Sequence, residues 1–223
     1  MNKLAKRRRA LMAGSGSNSF SISKLEEGTG LYLSENNTNV LYVYLGLDAN
    51  GNARLIRERL YGSARRMDSS KDHLDYDGTE LDIWLSNTFP EFLTAKVRAA
   101  LTNSSRSYIY NNGTSNKTIQ RKIAPLTVSE RNTGNNGFQQ ALRTYYGINS
   151  TRAMIGKTEG GSEKPYWLMD NPGTNYFRVQ FTDGNLNGWP ATNATAVWVR
   201  PVLAVLESSK VIKKGGNYFF EGV

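Results

Sequence analysis

The chain has 223 residues, 28 Lys and Arg against 19 Asp and Glu, a formal net charge of +9, no cysteine and one histidine, His73. That length supports one large domain or two small ones with a real core. It cannot build a disulfide, a thiolate metal site, a cysteine nucleophile or a multi-histidine metal cage, and its charge invites a nucleic-acid reading that depends on where the charge lies.

Residues 1–13 hold Lys3, Lys6, Arg7, Arg8 and Arg9 with no acidic residue, so five of the nine net charges sit in one short arm. Only Ala10-Leu11-Met12-Ala13 follows before Gly14-Ser15-Gly16-Ser17, too short for a signal-peptide core of about 7 to 15 residues. No stretch approaches the roughly 18 apolar residues of a membrane span. The arm reads as a short basic helix on a Gly/Ser hinge, residues 1–20, that is solvated or docked on a partner. The basic patch Arg54, Arg57, Arg59, Arg65 and Arg66 is followed by an acidic run, Asp68 to Asp82, which nearly cancels it. A body charged in this way is no continuous phosphate-binding face.

In the body, Gly30 to Ser34, Val40 to Leu47 and Ala53 to Tyr61 predict strands, the last two joined by an Asn50-Gly51 hairpin turn. Thr79 predicts a helix cap, with Asp82 three residues on and Leu81, Trp84 and Leu85 at helical spacing. Pro90 restarts a second helix through Leu93, Val97, Ala100 and Leu101. Asn103 to Lys117 reads as polar loop, and Gly137 to Tyr146 as a third helix ended by Gly147. Tyr166 to Met169, Tyr176 to Phe181 and Val197 to Leu206 read as strands, with a turn at Asp183-Gly184. Strands at both ends and helices between predict an α+β domain over residues 21–207, its terminal strands meeting in one sheet, and residues 208–223 read as a tail.

Catalytic equipment is sparse. An EF-hand register on Asp75-Tyr76-Asp77-Gly78 places Trp84 where a bidentate Glu belongs, so the Asp-rich run reads as a helix-capping turn. Gly160-Gly161-Ser162 lacks the phosphate-loop pattern. No catalytic residue, metal site or cofactor is expected. A different signal comes from Asn171 to Ala196, dense in polar and aromatic residues. With Phe177, Val179 and Phe181 inward, Tyr176, Arg178 and Gln180 point outward by period two. Together with Asp183, Asn185, Asn187, Trp189 and Asn193 they form a candidate ligand-binding face or an ordinary hydrated loop.

Three elements carry a family likeness: Tyr76-Asp77-Gly78-Thr79-Glu80-Leu81-Asp82-Ile83-Trp84-Leu85-Ser86-Asn87-Thr88-Phe89, Tyr166-Trp167-Leu168-Met169-Asp170-Asn171-Pro172 and Val199-Arg200-Pro201-Val202-Leu203. In this order they resemble a phage-associated domain family of unassigned function, frequent in Firmicutes and their prophages, which itself resembles the C-type-lectin-like and formylglycine-generating-enzyme-like fold. Met169-Asp170-Asn171 departs from the family's Arg-Ser step, and Trp198 stands where glycine is usual. The resemblance implies a mixed or antiparallel sheet with two to three helices, framed by Trp84, Leu85, Trp167, Leu168, Arg200 and Pro201. It implies a non-enzymatic virion protein of tail, baseplate, fibre or head decoration. Such a protein would be homo-oligomeric, anchored to other virion proteins by the arm and able to bind a host-surface glycan or protein. The alternative is a nucleic-acid-binding or packaging-associated protein using the Arg-rich arm and Arg54 to Arg66.

Overall fold

Both ends of the body return to one eight-stranded sheet. Its strands are β1 (Ser19–Ser21), β2 (Gly30–Glu35), β3 (Thr38–Leu47), β4 (Ala53–Arg57), β7 (Ile123–Ala124), β13 (Val202–Val205), β14 (Lys210–Lys214) and β15 (Asn217–Phe220). They lie in the order β1-β14-β15-β2-β3-β4-β13-β7, antiparallel except for the parallel β15–β2 pair. This computed structural model describes residues 19–70, 72–111, 113–132, 138–148, 150–173 and 176–221. Lys3, Lys6, Arg7, Arg8 and Arg9 and the Gly/Ser segment lie outside the described residues.

The central strands are apolar on both faces because both are covered. Tyr42, Tyr44, Leu55 and Leu203 enter one core with Phe89, Val97 and Trp167. Their neighbours Val43, Leu45, Ile56 and Val202 enter a second core with Ala141 and Leu142. The period-two alternation of a strand therefore sorts side chains between two layers of packing rather than between core and water. The β3–β4 turn forms as its sequence predicts: Asp48 Oδ1 accepts from the N–H groups of Asn50 and Asn52 at 2.9 Å, and Gly51 has φ +80°. Gly28, at φ +86°, passes so close to the helix on the second core that a Cβ would lie 2.7 Å from the Ala141 carbonyl.

Among the described residues, four short α-helices, α1 (Glu80–Ile83), α2 (Ala95–Ala100), α3 (Val128–Asn132) and α4 (Phe138–Tyr146), complete an α+β fold. Thr79 caps α1 by accepting from Asp82 N–H at 3.1 Å, while Asp82 accepts from Gly78 N–H. Past α1 the chain tightens and loosens through a π turn, Trp84–Thr88, and a 3-10 turn, Phe89–Phe92. Helical spacing alone would run the helix on through Leu93, but Leu93 is extended. It bridges Glu35, with Asn36 N–H donating to Phe92 O and Thr94 N–H to Ser34 O. Pairing with the end of β2 overrides the periodicity, and α2 starts only at Ala95.

Two other segments differ from expectation. Asn103 to Lys117 is no loop. Most of it belongs to a hairpin, β5 (Ser104–Tyr110) and β6 (Ser115–Arg121), whose inward residues Ser104, Arg106 and Tyr108 are mostly polar and so leave no apolar alternation to read. Residues 208–223 are likewise more than a tail: β14 and β15 bury Val211 and Phe220 in the first core, and β14 pairs with β1, which begins inside the segment read as arm and hinge.

Candidate functional site

The polar stretch singled out in the sequence forms a small separate sheet of β10 (Tyr166–Trp167), β11 (Tyr176–Gln180) and β12 (Leu186–Pro190). Tyr176 is 45% exposed and Arg178 half-buried, as the alternation requires. Gln180 is not on that face. It is fully buried because Arg131 crosses from α3, donating from Nε to Gln180 Oε1 at 2.9 Å and from Nη2 to Gly184 O at 2.6 Å, while Gln180 Nε2 donates to Phe181 O. The other candidates mostly serve their own backbone. Asp183 Oδ1 accepts from Asn185 N–H, Asn187 Oδ1 from Gly188 N–H, and Asn193 Oδ1 from the N–H groups of Thr195 and Ala196. Trp189 is partly buried against the first core and leans on Phe181 at 5.5 Å. Of the expected ligand face, Tyr176, Asp183, Asn185 and Asn187 are exposed and Arg178, Trp189 and Asn193 half-buried, while Gln180 is interior.

Three members of the acidic run, Asp75, Asp77 and Asp82, are tied to the β5–β6 hairpin. Arg121 forks onto Asp82 with both distances 2.7 Å and also meets Asp77; Lys117 bridges Asp75 and Asp77 at 2.6 and 2.8 Å, and Tyr108 donates to Asp75. The Lys117 hydrogen bond, with Arg121 beside it, holds the Asp77 carboxyl below the usual range. His73 Nδ1 lies 3.0 Å from Asp68 Oδ2 and belongs to the same turn. A groove of about 440 Å³ runs alongside, between the π turn and β6, lined by Ser86, Asn87, Gln120 and Arg121.

A larger cleft, about 550 Å³, opens where β2 ends and β4 leaves the sheet. Its floor is Arg57, 5% exposed, which forks onto Glu35 through Nε and Nη2, both at 3.1 Å. Nη1 donates to the carbonyls of Arg59 and Leu60 at 2.9 Å. Glu35, 3% exposed, also accepts from Tyr42 Oη at 2.8 Å, and burial, with the Glu35 charge adding to it, pushes the Tyr42 hydroxyl well up. Arg200 props this floor from behind, donating from Nε to Arg57 O and from Nη2 to Glu58 O. Over the mouth, the hairpin of β8 (Gly156–Lys157) and β9 (Glu163–Lys164) brings Glu159 Oε1 to 2.9 Å from Arg57 Nη2.

This arrangement splits the basic patch. Arg54 is buried against Glu130, which also pairs with Arg106, and Arg57 is buried against Glu35. Arg59 and Arg66 pair with Glu58 and Glu80, and Arg65 lies over the Trp84 ring at 3.9 Å. They are not a set of free cations awaiting phosphates. Glu35 and Glu130 were not singled out in the sequence. Glu130 carried a readable signal, since Thr127-x-x-Glu130 is a capping box, with Thr127 N–H donating to Glu130 and Glu130 N–H to Thr127 Oγ1. Glu35 carried none, because its role depends on a strand pairing.

A family model described as a domain of unknown function (DUF6273) matches residues 50–206. The chain belongs to that family. No curated protein and no solved structure matches it. The DUF6273 match begins in the β3–β4 turn and ends just past β13, strands that are neighbours in the sheet. It takes in Arg57, Glu159 and Arg200, whereas Glu35 comes from β2, outside it.

Proposed function

We propose that this chain is a bacteriophage virion protein whose body is a C-type-lectin-like recognition domain for adhesion. Lys3, Lys6, Arg7, Arg8 and Arg9 hold it to acidic surfaces of neighbouring virion proteins. The observation that carries the reading is the placement of ends and insert. β1, β14 and β15 occupy one side of the sheet, while everything between the adjacent strands β4 and β13 is one long insert, including the separate β10-β11-β12 sheet and the hairpin over the Arg57 cleft. A sheet that gathers the terminal strands and spends its insert on hairpins suits a module anchored on one side and recognising on the other, as lectin-like domains are.

Recognition rather than catalysis suits a body whose conspicuous carboxylates are tied down by Lys117, Arg121 and Arg57. Several copies on a particle would add avidity to individually weak contacts. Among the described residues no helix is long and apolar enough to cross a membrane. Deleting residues 1–17, which precede β1, tests the reading: the truncated chain is expected to keep its thermal transition and lose incorporation into particles. Retained incorporation overturns the anchoring role, and a salt-steep DNA shift by the full chain favours the nucleic-acid alternative instead.

A further inference from the structure

We infer that the Arg57 cleft is a binding site for a ligand carboxylate, such as that of an acidic sugar, and that Glu159 is a built-in placeholder that the ligand displaces. The inference deepens the recognition reading by naming a ligand chemistry, and rests on it. A guanidinium has five N–H donors in a rigid plane. In Arg57 four of them are committed to internal acceptors: Nε and one Nη2 hydrogen to Glu35, both Nη1 hydrogens to the Arg59 and Leu60 carbonyls. The guanidinium is therefore fixed in place, and on the cleft side its Nη2 forms an ion pair with Glu159 at 2.9 Å.

The two carboxylates on Arg57 differ in kind. Glu35 is buried, held by the fork and by Tyr42. Glu159 is 64% exposed and sits in the four-residue turn 158–161, closed by Gly161 N–H donating to Thr158 O, with Thr158 N–H donating to Ser162 O. An ion pair made by so exposed a side chain contributes little to stability, so exchange for an external carboxylate is close to balanced. The electrostatics of the site already accommodate a carboxylate at that position. The remaining walls are polar and aromatic: Asn36 and Asn39 carry amides, Tyr32, stacked on Phe219 at 5.2 Å, lines the side, and Arg59 is held by Glu58 at 2.6 Å. A cleft of about 550 Å³ falls within the range of small-ligand sites.

The test titrates the full chain with methyl glucuronide, methyl glucoside and acetate, following backbone amide signals of residues 157–162 and the Arg57 Nε–H signal by NMR. Glu159→Gln keeps the length of the side chain and removes its charge at an exposed position. Methyl glucuronide is expected to shift these signals and to bind Glu159→Gln about twofold to fivefold more tightly than the parent chain. Acetate acting as strongly as the glucuronide supports the site and assigns it to small free acids, and a stronger glucuronide response assigns it to sugar acids. Equal affinity of the parent and Glu159→Gln, an equal response to methyl glucoside, or no shift overturns the inference. Particle incorporation of the arm-deleted chain is read separately, so either proposal can fail alone.

Discussion

Glu35 with Arg57, at 3.1 Å, and Asp82 with Arg121, at 2.7 Å, are both carboxylate–guanidinium forks on a carboxylate 3% exposed, yet their guanidiniums sit in different surroundings. The Arg57 fork is nearly closed to water on both partners, whereas Arg121 is about one-fifth exposed and shares Asp77, itself more than one-third exposed, with Lys117. Removing one member of a buried pair leaves an uncompensated charge, while a partly hydrated cluster re-forms around what is left. Identical chemistry therefore supports the fold in one place and merely docks a hairpin in the other.

The largest effect is expected at Glu35. Glu35→Ala removes the buried carboxylate of Arg57, leaving it the exposed Glu159 and two carbonyls, and should cost about 3 to 5 kcal/mol, read as a large fall in the urea midpoint. A shift within about 0.5 kcal/mol would mean that Arg57 reaches water without rearrangement. Thr79→Ala comes next, because it removes the cap of α1 while the Asp82–Arg121 fork remains; about 0.5 to 2 kcal/mol is expected by the same measurement.

Asp77→Asn should cost less than about 1 kcal/mol near neutral pH. Its pH dependence sharpens the contrast. Because the folded Asp77 carboxyl is held below its ordinary value, its contribution is complete above that value and is lost as pH falls through the lower folded one. Parent and Asp77→Asn chains should therefore converge in stability on acidification below about pH 4. A constant gap across that range would place the effect in packing instead. The smallest effect is expected from Glu159→Gln, whose thermal midpoint should stay close to the parent's.

Residues that form local structure declared themselves in the sequence. Asn50-Gly51, Thr79 with Asp82, and Gly147 act within a few residues, and each stands where its spacing predicts. Long-range pairing did not: Leu93 leaves its helical period to meet β2, and β5 hides its alternation by burying Ser104, Arg106 and Tyr108. The candidate face was half legible for the same reason. Alternation along β11 orients Tyr176 and Arg178, but Arg131, 49 residues away in sequence from Gln180, decides that Gln180 is interior. Nothing local in the chain announces that Glu35, Arg57 and Glu159 converge.

The most direct measurement is a crystal structure of the Glu159→Gln chain soaked with methyl glucuronide. The predicted result is a ligand carboxylate within hydrogen-bond distance of Arg57 Nη2, with the guanidinium still forked onto Glu35. A ligand bound elsewhere, or an Arg57 side chain swung off Glu35 to meet it, would contradict a fixed donor displayed into the cleft.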